Sequence, residues 1–146
     1  GLGDVYKRQH PTTRFVANFL GSITQFDATV TAINGARTRL SVPAFGAEVE
    51  AGTLPGLERG ETLTLGLRPE KVLLHSERPE GPNVIAGEVK DLAYFGKDSL
   101  YRVILPGGGL MSVHAVNARR AGEARPDWND RVWLSFDPAS AILLRG

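Results

Sequence analysis

One pattern occurs twice in this chain, and the repetition limits what it can fold into. Residues 60–74 alternate apolar and polar side chains, break at Pro69, then resume as a short apolar run. Residues 129–144 repeat the pattern, with Pro138 aligned on Pro69. In that alignment Leu63, Leu65 and Leu67 match Val132, Leu134 and Phe136. A period of two marks a strand with one buried face. Proline ends a ladder because it has no N–H to donate and its φ is fixed. A strand, a corner and a second short strand, used twice, predict a small β-architecture built from two related halves.

Fainter echoes support the same reading. Residues 27–30 resemble 86–89, and residues 39–43 resemble 102–106. The separation grows from 59 to 63 to 69 residues, so the second half carries insertions. The expected halves are residues 23–80 and 81–146, divided by a polar stretch at 75–82 that holds two prolines. Seventeen glycines and nine prolines, spread along the chain, fit many short elements joined by turns. The predicted class is all-β: a small antiparallel barrel, or a pair of barrels, preceded by one short helix.

Within the halves the pattern places individual strands. Phe26, Ala28, Val30 and Ala32 alternate with polar neighbours, Asn34-Gly35 signals a hairpin, and residues 37–42 return. Residues 45–50 read as another short strand. In the second half Ile85, Val89 and Leu92 are the expected inward residues, with a bulge expected at Gly87. Tyr101, Val103 and Leu105 share one side of the next strand, and Pro106-Gly107-Gly108-Gly109 turns the chain into residues 110–116. Before all of this, residues 10–21 have helical spacing, with Phe15, Val16, Phe19 and Leu20 on one face and Gly21 as a stop. So short a helix needs a packing partner.

Composition removes several classes of function. The formal charge is +1, which gives no global drive toward nucleic acid or an anionic membrane. There is no cysteine, hence neither a disulfide framework nor thiolate chemistry. No apolar run reaches the roughly 20 residues that span a bilayer as a helix.

The residues that could carry chemistry are scattered. His10, His75 and His114 lack metal-ligand spacing. Gly96-Lys97-Asp98-Ser99 has Asp where a phosphate-binding loop needs Ser or Thr, and Asp91 where it needs glycine. No serine lies in a Gly-x-Ser-x-Gly frame. Tyr94, Phe95 and Tyr101, with Lys97 and Arg102, are the nearest approach to a base-stacking face, and packing explains them as well. Arg119, Arg120 and Arg125 make a basic loop diluted by Glu123 and Asp127. Asp127 and Asp130 read as solvated loop acids. No catalytic, cofactor-binding or metal-binding residue is expected.

The order of the motifs points to a family. Phe15-Val16-Ala17-Asn18-Phe19-Leu20-Gly21 resembles the end of the ATPase domain in importer-type ABC ATP-binding subunits. Residues 23–30 are similar to the first strand of their accessory TOBE domain, an OB-like β-barrel. Leu67-Arg68-Pro69-Glu70 looks like that domain's Arg-Pro-Glu corner. Residues 87–96 and 133–144 resemble its second half and closing strands. The resemblance covers residues 11–146 and is greatest to subunits of spermidine/putrescine importers.

That resemblance implies residues 10–22 as the end of an ATPase domain and 23–146 as the TOBE-like domain. The family's nucleotide-binding motifs lie upstream of the segment matching Phe15, so ATP and Mg belong to a parent subunit and no ATPase activity is expected of these residues. Expected partners are that ATPase domain, a second copy of the subunit and membrane permease subunits, at the cytoplasmic side of a bacterial inner membrane. No nucleic acid is expected. A free-standing OB-like module for an oligonucleotide or a small oxyanion is the alternative. The first nine residues resemble a translated sequencing adapter and are expected to be foreign to the native protein. Arg68 or Glu70 is expected to pair with a neighbouring loop, in a structural role.

Overall fold

A computed structural model describes residues 23–95, 97–116 and 126–145. The first half contributes β1 (Thr24–Asn34), β2 (Arg37–Val42), β3 (Ala47–Ala51), β4 (Thr62–Leu67) and β5 (Leu73–His75). The second contributes β6 (Val84–Phe95), β7 (Asp98–Ile104), β8 (Leu110–Val116), β9 (Arg131–Ser135) and β10 (Ile142–Leu144). The predicted helix over residues 10–21 lies outside the described residues.

Two five-stranded antiparallel sheets form, ordered β10-β4-β1-β2-β3 and β5-β9-β6-β7-β8. The halves exchange their last strands. β4 turns through a 3-10 corner at Pro69–Lys71 and delivers β5 to the second sheet, where Leu74 pairs with Leu134. β9 turns through the matching corner at Pro138–Ser140 and delivers β10 to the first sheet, where Leu143 pairs with Leu65. Among the described residues neither sheet closes on itself; each ends on two edge strands, so the arrangement is two interlocked open sheets.

The correspondence between the halves reaches single hydrogen bonds. Val30 N–H donates to Glu61 O at 2.9 Å and Val89 N–H to Asp130 O at 2.9 Å. Gly60 N–H donates to Val30 O, as Asn129 N–H does to Val89 O, each at 2.8 Å. Gly60 and Asn129 both have positive φ. Each half is bulged one residue later, at Thr31 and at Lys90. The expected bulge at Gly87 is therefore corrected. Gly87 is small for another reason: a Cβ there would collide with Val103 Cγ1.

Alternation fills one core shared by both sheets. Leu63, Leu65, Leu67, Val132, Leu134 and Phe136 are all buried in it. Ile85 and Val89 are buried with them, and Leu92 packs against them. Phe45 starts no strand, contrary to expectation. It lies in the turn before β3, fully buried, edge-on to Phe26 at 4.7 Å and to Phe136 at 6.4 Å between ring centroids. Its N–H bonds Val42 O as Gly108 N–H bonds Leu105 O, so the same turn holds an aromatic plug in one half and no side chain in the other. These two turns meet: Gly109 N–H donates to Ala44 O at 3.0 Å.

Candidate functional site

The duplicated fold leaves two concavities in equivalent places on its outer faces. Inward residues of β6 such as Ile85 and Val89 are buried, which turns Ala86 and Glu88 outward. Ala86 pairs with Trp133 and Glu88 with Arg131 on β9, while Ile104 pairs with Glu88 from β7. Together with Pro106 these residues line a cleft of about 440 Å³. On the first sheet Asp27, Thr29, Thr62, Thr64 and Pro43 line a second cleft of about 440 Å³. Position by position, Asp27 stands for Ala86, Thr29 for Glu88, Thr62 for Arg131, Thr64 for Trp133 and Pro43 for Pro106. The hollow has been kept in both halves and its chemistry has diverged.

The surroundings differ in the same sense. Beside the first cleft the outer face carries its own ion pairs, Arg39 to Glu50 at 3.4 Å and to Glu48 at 3.7 Å. Beside the second, Ile104 and Leu110 pair across β7 and β8 with both side chains exposed. Glu88 and Arg131, though in register, form no ion pair with each other or with any described residue. The Arg78 guanidinium lies 5.0 Å from the Trp133 ring centroid, a cation–π contact that holds the indole.

The residues singled out in the sequence fall elsewhere. His75 Nε2 lies 2.8 Å from Ser135 Oγ, and burial lowers its pKa below the usual histidine value. His114 Nε2 is 3.0 Å from Asp98 Oδ1. His10 lies outside the described residues. Among those described, no three His, Asp or Glu side chains come together as a metal site. Tyr101 is buried, and Tyr94 donates its hydroxyl to Pro126 O at 2.6 Å with its ring edge-on to Tyr101. The stacking face is thus half absorbed into the core. The residue expected beside them, Phe95, lies with Arg119, Arg120 and Arg125 beyond what is described for side chains. Asp130 accepts from Asp127 N–H at 2.8 Å, so these two acids shape a turn. Lys97 lies exposed at the β6–β7 turn.

Arg68 and Glu70 are also corrected. Both are exposed and neither side chain pairs with a described residue. The backbone makes the corner, through Lys71 N–H to Arg68 O at 2.9 Å and Val72 N–H to Pro69 O at 3.3 Å, over a buried Pro69. The ion pair that does tie a loop lies at the other end of β4: Arg145 donates to Glu61 at 2.9 Å and to Pro55 O at 2.8 Å. Glu61 is held below the usual carboxylate range, first by Arg145 and then by the Glu58 N–H.

Residues 65–144, from the last residues of β4 to the end of β10, match the TOBE domain family. The chain belongs to that family. Over 137 residues, 93% of this chain and 36% of the relative, it is 32% identical to the putrescine transport ATP-binding protein PotG of Escherichia coli. It is 33% identical over 138 residues to the spermidine/putrescine import ATP-binding protein PotA of Rubrobacter xylanophilus, covering 93% and 35%. The chain spans about a third of the length of these relatives. The fold of the chain is similar to that of the cytoplasmic molybdate-binding protein ModG, with a TM-score of 0.71 at 17% identity over 84% of this chain and 96% of that one. No helix among the described residues is long and apolar enough to cross a membrane.

Neither cleft was legible as a site from the sequence. Arg131 and Trp133 stand two apart, a signal for one strand face, but their partner Glu88 is more than forty residues away in the chain.

Proposed function

We propose that residues 23–146 are the accessory domain of the ATP-binding subunit of an importer that takes up putrescine, spermidine or a similar small solute. The ATPase domain that binds ATP and Mg precedes it, and residues 10–22 are the end of that domain. The observation that carries this reading is the identity of 32% and 33%, over 93% of the chain, to two ATP-binding subunits named for those amines. The subunit works with a second copy of itself and with membrane permease subunits on the cytoplasmic side of the membrane.

The domain's part is mechanical. Strand exchange makes one unit of the two halves, so a force on one sheet is borne by both. Such a unit holds paired subunits together while their ATPase domains open, and shifts the open–closed equilibrium if it contacts one state better. The test uses the full-length subunit with and without residues 23–146, scored for dimerisation, ATPase rate and uptake of labelled putrescine. A loss of dimerisation or an altered ATPase rate is expected on deletion. Unchanged values for both would refute the reading.

The likeness in fold to a molybdate-binding protein supports a second reading, an oxyanion-binding module. Titration with molybdate by calorimetry separates the two: the transporter reading expects no heat of binding.

A further inference from the structure

We propose that the cleft on the outer face of the second sheet binds a small amphipathic zwitterion, of the class of a free amino acid with an apolar side chain. The inference rests on the cleft alone and is independent of the transporter reading. Ala86 is the floor. Trp133 pairs with it from β9 on one side, and the chain leaving β7 brings Pro106 to the other. Strands two apart in a sheet are separated by about 10 Å, so an apolar body fits between the indole and the proline ring. Ile104 extends the apolar wall. The volume of about 440 Å³ lies at the small-molecule end of ligand pockets, which run about 300–1,000 Å³.

One end of this slot carries a carboxylate and a guanidinium side by side. Glu88 and Arg131 are direct cross-strand partners, yet neither is ion-paired with a described residue. Opposite charges that do not neutralise each other form an electrostatic template for a ligand carrying both signs. An ammonium faces Glu88, and a carboxylate meets the Arg131 fork, whose planar donors suit two-point carboxylate recognition. A simple amine leaves Arg131 unanswered and a simple carboxylate leaves Glu88 unanswered. The equivalent cleft is the internal contrast. Thr62 replaces the guanidinium, Thr64 the indole, and Asp27 occupies the floor, so it offers neither the apolar slot nor the paired charges.

The test uses the full chain with Trp128→Phe, which leaves Trp133 as the single tryptophan and its fluorescence as the readout. L-leucine is titrated to about 10 mM, enough to saturate a site with Kd of about 1 mM. A saturable change is expected. Isopentylamine and isocaproate, which each lack one of leucine's two charges, are expected to bind roughly tenfold more weakly or less, as are Glu88→Gln and Arg131→Gln with leucine. Ala86→Phe fills the slot and is expected to abolish the change; circular dichroism checks that it folds. Thr64→Ala, in the equivalent cleft, leaves binding intact. No saturable response to leucine, or equal binding of isopentylamine or isocaproate, or binding retained in Ala86→Phe, overturns the proposal. A Trp133 signal that depends on protein concentration without ligand assigns the face to a second copy of the chain and overturns it too.

Discussion

Asn83 substitutes for a strand against Glu50. Its Oδ1 accepts from Glu50 N–H at 2.6 Å and its Nδ2 donates to Glu50 O at 2.8 Å, so one side chain satisfies both backbone groups on the free edge of β3. The same Nδ2 lies 3.2 Å from Phe136 O, at the end of β9. One buried amide thereby joins the edge of the first sheet to the last turn of the second. Asn83 sits at φ of 58°, a conformation asparagine tolerates better than most residues. Truncating it leaves half-buried backbone groups without partners, at about 1–3 kcal/mol. Asn83→Ala is expected to lower the unfolding free energy by about 2–3 kcal/mol, seen as a lower urea midpoint at unchanged slope. A midpoint within error of the parent would show that solvent replaces the amide.

Gly107 and Gly52 make a matched pair for testing how tightly the halves meet. A Cβ on Gly107 would fall on the Pro43 carbonyl oxygen and the backbone of Ala44, in the contact between the two central turns. Because the obstruction is backbone, the turns must separate, and Gly107→Ala is expected to cost about 3 kcal/mol, the upper end of the usual range for overpacking. Gly52 has open space around its Cβ position and no positive φ. Gly52→Ala is expected to be neutral or to stabilise by about 0.4–1 kcal/mol through the unfolded chain. Thermal melts of the two variants should move apart. Equal melting temperatures would mean that the turns are not in contact in solution.

The elements were legible in the sequence wherever a period of two ran against a buried face. Leu63 to Leu67 and Val132 to Leu134 declared β4 and β9, and the two prolines declared the corners. Other features had no local signal. Phe45 sits in a turn yet fills the core, and its apolar neighbours made it look like the start of a strand. Lys90 is the bulge, although Gly87 carries the usual bulge residue; what shows Lys90 is its correspondence with Thr31 in the other half. Strand exchange was invisible because three residues such as Leu73–His75 carry no information about which strand they will join. The clefts were invisible for a related reason. Arg131, Glu88 and Pro106 become neighbours only when β9, β6 and β7 are in register.

His75 gives the fold a weak acid sensitivity. Burial lowers its pKa in the folded state below the unfolded value, so the unfolded chain binds more protons as pH drops below the ordinary histidine range. The slope of stability with pH is positive wherever the unfolded state binds more protons. Stability is therefore expected to fall as pH is lowered from 7 through the unfolded His value of about 6.5, and to level off once pH is below the depressed folded value. Glu61, also depressed, acts in a separate and lower window: its contribution is present above the unfolded carboxylate pKa and is lost as pH falls through its folded pKa. Urea midpoints measured at several pH values in the parent and in His75→Gln check this. The variant should be flatter between neutral and mildly acidic pH, while both lose stability in stronger acid. Parallel curves throughout would assign the slope to other groups.

Exchange of β5 and β10 makes a prediction about the halves themselves. Residues 23–80 alone would hold β4 without β10 at its side and β5 without any sheet. Residues 81–146 alone would hold β9 without β5, and β10 without β4. Each piece would also expose its share of the common core, in which Phe45 of the first half lies against Phe136 of the second. A segment of about 60 residues is at the lower limit for folding alone even when its core is intact. Neither piece is expected to show a cooperative urea transition by itself, and mixing them is expected to restore strand signal in circular dichroism together with a single transition. The decisive measurement is each piece on its own: a cooperative transition in either would mean that its sheet is stable without the borrowed strand, and that the exchange decorates two independent units.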